Sequence, residues 1–379
     1  MDEPAVDPLA SAEREFNQRL TAATPRAFVT EALIALNVGV FLVLTMRGMS
    51  VTGGHADEYL RFGANFAPLT TGGEWWRLVT CLFVHAGILH LALNMWALWE
   101  SGRITERLFG NGWFAVLYLF AGLSGSCASM WWNQHVISIG ASGAVFGVFG
   151  ALLAYMTVQR GSIPPHALNR LRISTSTFVM YSLFYGFLQS GVDNAAHLGG
   201  LAGGFVMGLC LARPLDATPR RGGHARRAVF AVLLAAVTLP TAALLTPDTS
   251  RVFRQAIELQ KAVDTFGAEE KRLQAAFQDL AERSRAKKTN APGALKEVQT
   301  NLLPAWDAAV AELATLELDA NAPARKDYEL LLRYATLRRE GMKALADYLA
   351  TGNPSYMANV SALHAEAAVA LTQFKARQK

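Results

Sequence analysis

Seven apolar stretches, each long enough to cross the roughly 30 Å hydrocarbon core of a bilayer, constrain this chain more than any other feature. They lie at about 29–46, 87–104, 113–132, 142–159, 173–190, 194–213 and 226–246. Backbone amides in lipid must bond within their own segment, so runs of this length read as helices. The second begins late: residues 74–87 are also apolar, but Trp75 and Trp76 beside Arg77 suit a segment lying in the interface. Composition agrees, with 52% hydrophobic and only 17% charged residues, too apolar for an ordinary soluble domain.

The chain changes character near position 248. Every basic residue before it is an arginine, and every lysine, from Lys261 to Lys379, lies after it. Two solvents are implied, lipid for the first part and water for the second. The expected organisation is an N-terminal cytoplasmic segment at 1–28, a six-helix core at 29–213, a linker with a seventh span at 214–247, and a soluble helical domain at 248–379. In that last domain helices are predicted at about 252–288, 294–317, 324–350 and 354–376. They are separated by Asn290-Ala291-Pro292-Gly293, the stretch 320–323 and Gly352-Asn353-Pro354. Tyr328, Leu331, Leu332, Ala335, Met342, Leu345 and Leu349 recur at helical spacing and give one apolar face. Pro304 is expected to kink or interrupt its helix.

Several function classes drop out. The net charge of +5 never concentrates into a basic stripe with interleaved aromatics, which excludes a nucleic-acid partner. Cys81, Cys127 and Cys210 all sit in apolar runs, and no cluster has ligand spacing, so neither a disulfide, a metal nor a cofactor is expected. The first 26 residues are polar and of mixed charge, unlike a signal peptide, so the run at 29–46 reads as a retained first span.

Arginines orient the spans, because short loops rich in Lys and Arg stay in the cytoplasm. Arg103 and Arg107 follow the second span, Arg160, Arg170 and Arg172 the fourth, and Arg213, Arg220, Arg221, Arg226 and Arg227 the sixth. The loops after the third and fifth have none. The N-terminus is thus expected inside and the C-terminal domain outside. The long loop after span one, with Arg47, Arg61 and Arg77, is external against the trend, as long loops obey the rule less strictly.

Into these spans the sequence sets His90, Asn94, Ser142 and His197, with His85 just before. An ionisable side chain there costs ~2.5 kcal/mol or more unless partnered, which makes it a functional candidate. Spans two, four and six all enter from outside, and the four residues lie in their first turns, so they reach a common depth. Gly200, Gly204 and Gly208 form a small-residue packing stripe. His197 falls within about 60° of that stripe around the helix, so its ring points at a closely packed neighbour. If that neighbour is the glycine-flanked fourth helix, Ser142 and His197 meet. A serine hydroxyl is a weak nucleophile until an imidazole takes its proton, and the oxyanion it creates needs donors already in place. His90 and Asn94, four apart on one helical face, offer two. The Ser142 amide at a helix start offers a third. No carboxylate inside the membrane stands ready to orient His197, apart from Asp193 at the mouth of the sixth span. A dyad is therefore expected over a triad.

Together these residues resemble the rhomboid intramembrane serine proteases. The matching pieces are Trp76-Arg77, the series His85, His90 and Asn94, Glu106, Gly140-Ala141-Ser142-Gly143, and Ala196-His197 followed by Gly200 and Gly204, over about residues 29–213. The resemblance implies an all-α polytopic membrane bundle with a rhomboid-like six-helix core, here extended by a seventh span and a small soluble helical domain. It implies that Ser142 attacks, that His197 acts as base and then acid, and that His90, Asn94 and the Ser142 amide bind the oxyanion. Trp76, Arg77 and Glu106 look like scaffold positions, and His85 like a supporting hydrogen bond. Four residues after the serine, where the family often has tyrosine, stands Phe146. The implied substrates are single-span membrane proteins, entering past the fifth helix, where Phe178, Tyr181, Phe184 and Tyr185 would form a movable aromatic gate. The implied location is the inner membrane of a bacterium. A competing class is a non-catalytic rhomboid-like binder or chaperone of membrane proteins, though such relatives typically lack the serine or the histidine. A transporter is a third, without the paired half-molecules that class favours.

Overall fold

The computed structural model describes residues 8–189, 191–215 and 221–378. Ser190, Arg220 and Lys379, which figure in the expectations above, lie outside the described residues. The chain divides into two compact units, Met1–Ser250 and Arg251–Lys379.

The first unit opens with α1 (Pro8–Ala23) and α2 (Val29–Met46). The helix α1 is absent from the sequence-based expectation, which treats 1–28 as a polar segment. Phe16 and Leu20, one turn apart on this otherwise polar helix, are buried against Leu108, Phe109, Tyr155 and Met156. Two apolar residues suffice to fix a helix on a ready-made surface, yet they are too few to raise a periodic signal. The loop after α2 carries the short helices α3 (Ala56–Arg61), α4 (Ala67–Thr71) and α5 (Arg77–Thr80), then a 3₁₀ turn at Cys81–Phe83.

The next helices are α6 (Ile88–Phe109), α7 (Asn111–Trp132), α8 (Ser142–Val158), α9 (Pro165–Leu188), α10 (Asn194–Leu211) and α11 (Arg221–Leu244). Each expected span falls on one of α2 and α6 to α11. The segment Arg77–Phe83 meets α6 at 93°, so the apolar run from 74 onward is broken at Val84–Gly87. Among the described residues, α2, α7, α10 and Arg226–Leu244 of α11 are each long and apolar enough to cross a membrane alone, and the bent pair adds a fifth. Two expected spans fall short of that test for local reasons. The helix α8 has 17 residues, and α9 carries Arg172 and the polar run Ser174-Thr175-Ser176-Thr177 at the start of its apolar part. The protein is an integral, multi-pass membrane protein of all-α class.

Buried polar anchors hold the bundle. Glu106, fully buried on α6, accepts hydrogen bonds from the Val29 and Thr30 amides at 2.7 and 2.9 Å and from the Thr30 hydroxyl at 2.6 Å. It thereby satisfies the open N-terminus of α2 in the way a capping side chain does. Arg77 donates to the carbonyls of Leu60 and Ala64 at 2.7 and 2.9 Å, pairs with Glu74, and lies over the Trp76 ring at 4.6 Å. That one guanidinium ties α3 and the turn after it to α5.

The helix α12 (Ser250–Arg285) starts at the last residue of the first unit and runs into the second, which continues with α13 (Ala291–Glu297), α14 (Leu303–Ala314), α15 (Arg325–Thr351) and α16 (Pro354–Arg377). Leu273, Val298, Trp306, Leu331, Tyr334, Ala335, Met342 and Phe374 are among its buried core. Pro304 sits in the first turn of α14, and a π-helical turn at Val298–Leu302 precedes it. The proline ring has no N–H to return to Thr300, and the regular α-helix is interrupted there by the wider turn.

Candidate active site

Glycine places the serine. Gly140 adopts φ +105°, a backbone region open to few other residues. A Cβ there would also lie 2.7 and 2.8 Å from the Cε1 and Nε2 atoms of His90. The chain can therefore turn tightly into α8 and bring Ser142, its first residue, beside α6. On the other side α8 and α10 touch backbone to backbone: a Cβ on Gly200 would stand 2.7 Å from the carbonyl carbon of Gly143, and one on Gly204 would strike Gly147. The paired glycines bring the first turns of the two helices together, and His197 Nε2 lies 2.9 Å from Ser142 Oγ.

His197 is 8% exposed. Its ring lies flat on Phe146, centroids 4.3 Å apart and planes within 8°, so Phe146 supplies a stacking surface without a hydroxyl. His90 Nδ1 accepts the Ala86 amide hydrogen at 3.2 Å, which assigns its proton to Nε2, the edge turned toward Gly140. Asn94 is buried and spends one amide hydrogen on the His90 carbonyl at 2.9 Å, leaving the other. Behind them the fully buried His85 accepts the Ala141 amide at 3.4 Å, its other nitrogen lies 3.3 Å from the Phe83 carbonyl, and its ring meets His90 edge-on at 5.2 Å. The Ala141 amide is therefore engaged, while the first amides of α8, from Ser142 on, have no intrahelical acceptor.

His90, Asn94, Ser142 and His197, drawn from α6, α8 and α10, all line one cavity of about 1070 Å³. The four aromatics of α9 divide. Phe178 stacks on Phe149 at 4.3 Å and lines the cavity, as do Tyr181 and Tyr185. Phe184 is not part of the lining and is 63% exposed. Helical spacing explains the split: Phe178, Tyr181 and Tyr185 fall on one face, and Phe184 turns off it.

Sequence reasoning missed two supports. Asn65 and Ser138 form an isolated antiparallel bridge, with amide-to-carbonyl distances of 3.0 and 2.8 Å, that ties the loop after α2 to the turn before Ser142. Asn133, at the end of α7, donates to Asp193 Oδ1 at 3.2 Å, and that same oxygen accepts the Ala196 amide at 3.1 Å as the N-cap of α10. Asparagine just past a helix is the only trace such a contact leaves in sequence.

Residues 72–214 match a family model described as Rhomboid domain. The chain is 38% identical over 210 residues to Rhomboid protease GluP of Bacillus subtilis (strain 168), covering 55% of this chain and 39% of that protein. It is 33% identical over 141 residues to Putative rhomboid protease YdcA of the same organism, covering 37% and 69%. Rhomboid protease AarA of Providencia stuartii is 30% identical over 193 residues, covering 45% and 68%. The chain thus spans about two fifths of the length of GluP and about two thirds of the other two.

Proposed function

Because this chain belongs to the rhomboid family, we propose that it is an intramembrane serine endopeptidase that cuts single-span membrane proteins near the outer face of the bilayer. The observation that carries this reading is the 2.9 Å contact between His197 Nε2 and Ser142 Oγ at the rim of a cavity shared with His90 and Asn94. A scaffold that only bound client helices would have no need for a base on a serine. The same contact weighs against a non-catalytic binder or chaperone.

In the proposed reaction Ser142 Oγ attacks the scissile carbonyl carbon as its proton passes to His197 Nε2. Negative charge develops on the carbonyl oxygen, facing His90 Nε2–H, the free Asn94 amide hydrogen and the Ser142 amide. The His197 imidazolium then protonates the leaving amine, and a water activated by the same ring hydrolyses the acyl-enzyme. Asn94→Ala removes one donor of several and lowers turnover by roughly 10-fold to 1000-fold. A substrate helix hides its carbonyls in its own hydrogen bonds, so one turn must unwind first. Opened backbone groups are costly in lipid. Glycine near the cut eases this by up to ~1 kcal/mol per residue. The close α8–α10 contact favours a small side chain at the scissile bond.

The arginine pattern supports a cytoplasmic N-terminus and an external domain at 248–379. In a liposome assay with a labelled single-span substrate, the wild type cleaves and Ser142→Ala does not. Equal activity of the two would remove the enzyme reading from this site.

A further inference from the structure

The dyad leaves one proton without an address. For Nε2 to accept from Ser142, the neutral His197 ring must carry its proton on Nδ1, and a buried N–H needs an acceptor. Among the described residues His197 Nδ1 is buried without a hydrogen-bond partner, and so is Asp193 Oδ2. The two residues are four apart at the start of α10, where the His197 amide also bonds the Asp193 carbonyl at 3.2 Å. Residues four apart on a helix share a face.

The carboxylate is not loose. Asp193 is 8% exposed, and its Oδ1 is held between the Ala196 amide and the Asn133 side chain, which fixes where Oδ2 stands. The other titratable groups lining the cavity are Tyr59, Cys81, His90, His135, Tyr181 and Tyr185, so Asp193 is the one carboxylate among the described lining residues. No Lys or Arg in that lining competes for it.

We propose that Asp193 is a positioning residue for His197, joined to it through one bridging water that accepts from Nδ1–H and donates to Oδ2, with Asn133 holding the carboxylate in place. Buried waters commonly join such stranded groups. The bridge fixes the tautomer that leaves Nε2 free to take the Ser142 proton. It also sets a negative charge one turn from the imidazolium formed during attack. Asp193 takes no proton in the step: the Ser142 proton goes to Nε2 and from there to the leaving amine. The protein then works as a water-linked triad. This rests on the protease reading above.

Full-length protein with ¹⁵N-labelled histidine in detergent micelles tests it. In the wild type the His197 nitrogen shifts should report protonation on Nδ1, and in Asp193→Asn a mixture of tautomers. Asparagine keeps an oxygen for the Ala196 amide and remains a good N-cap, so the variant should fold. Its kcat on a single-span substrate should fall on the order of 10-fold to 100-fold with KM within about twofold, the pattern of a lost transition-state interaction. Protonation on Nε2 in the wild type would overturn the proposal without any variant. So would wild-type kcat in Asp193→Asn, or a fall in kcat with the tautomer unchanged. Ser142→Ala, run beside it, separates the two ideas: if it cleaves like wild type the protease reading fails, while the tautomer still decides the role of Asp193.

Discussion

The imidazole of His197 and the ring of Phe146 lie parallel, 4.3 Å apart, so the plane in which His197 meets Ser142 is set by a neighbour on the serine's own helix. Nucleophile and base are thereby referred to one rigid element, α8. A stacked pair of this kind contributes about 0.5–1.5 kcal/mol beyond burial. Phe146→Leu should lower kcat by about 3-fold to 10-fold. Phe146→Tyr, which keeps the stack, should stay close to wild type. Steady-state cleavage of one substrate by the three proteins is the check. A leucine variant as active as wild type would show that the stack orients nothing.

The α8–α10 contact is equally specific. A methyl at Gly200 would press on the backbone of Gly143, which cannot move aside as a side chain would. Gly200→Ala should therefore destabilise the fold by about 1–3 kcal/mol and also separate His197 from Ser142. Thermal unfolding in detergent together with cleavage rate measures both. A variant that is stable and fully active would refute the close packing.

Glu106 tests the scaffold apart from the chemistry. Its carboxylate satisfies two amides and a hydroxyl at the start of α2. Glu106→Ala leaves those donors buried and unpaired, at a cost on the order of 2–4 kcal/mol. Thr30→Val removes only the hydroxyl partner and should cost less. Unfolding of both variants, compared with serine labelling at a temperature where each is folded, should show lost stability with the labelled site intact.

The contrast between Ser142 and His197 on one side and Asn133 and Asn65 on the other explains what the sequence could reveal. Polar residues inside apolar runs stand out because lipid makes them expensive, and their order along α6, α8 and α10 was enough to group His90, Asn94, Ser142 and His197. The glycines at 200 and 204 likewise disclosed which helix faces meet. Loops obey no such periodicity. The Asn65–Ser138 bridge and the Asn133–Asp193 bond join positions 60 or more residues apart through folds that hydropathy does not encode. The seating of α1 on the bundle was hidden for a similar reason, since it depends on a surface that other helices build. Phe184 shares its residue type with Phe178 but not its face of α9, a difference that only the helical period carries.

Substrate entry can be tested on that same period. Phe178 packs on Phe149 against the cavity, whereas Phe184 faces outward. Phe178→Ala should raise cleavage of a bilayer-embedded substrate while hardly changing that of a short soluble peptide. Phe184→Ala should change neither. If both substrates respond alike to Phe178→Ala, entry past α9 is not the step being altered.

A serine activated by a neighbouring histidine reacts covalently with fluorophosphonates, so labelling reports on Ser142 and His197 together. Wild-type protein in detergent, treated with a fluorophosphonate and analysed by peptide mass spectrometry, should carry a single adduct on Ser142. Labelling should vanish in Ser142→Ala and nearly vanish in His197→Ala, the double variant being no worse than either alone because the two residues act as a unit. An adduct on another serine, or labelling undiminished in His197→Ala, would contradict the account.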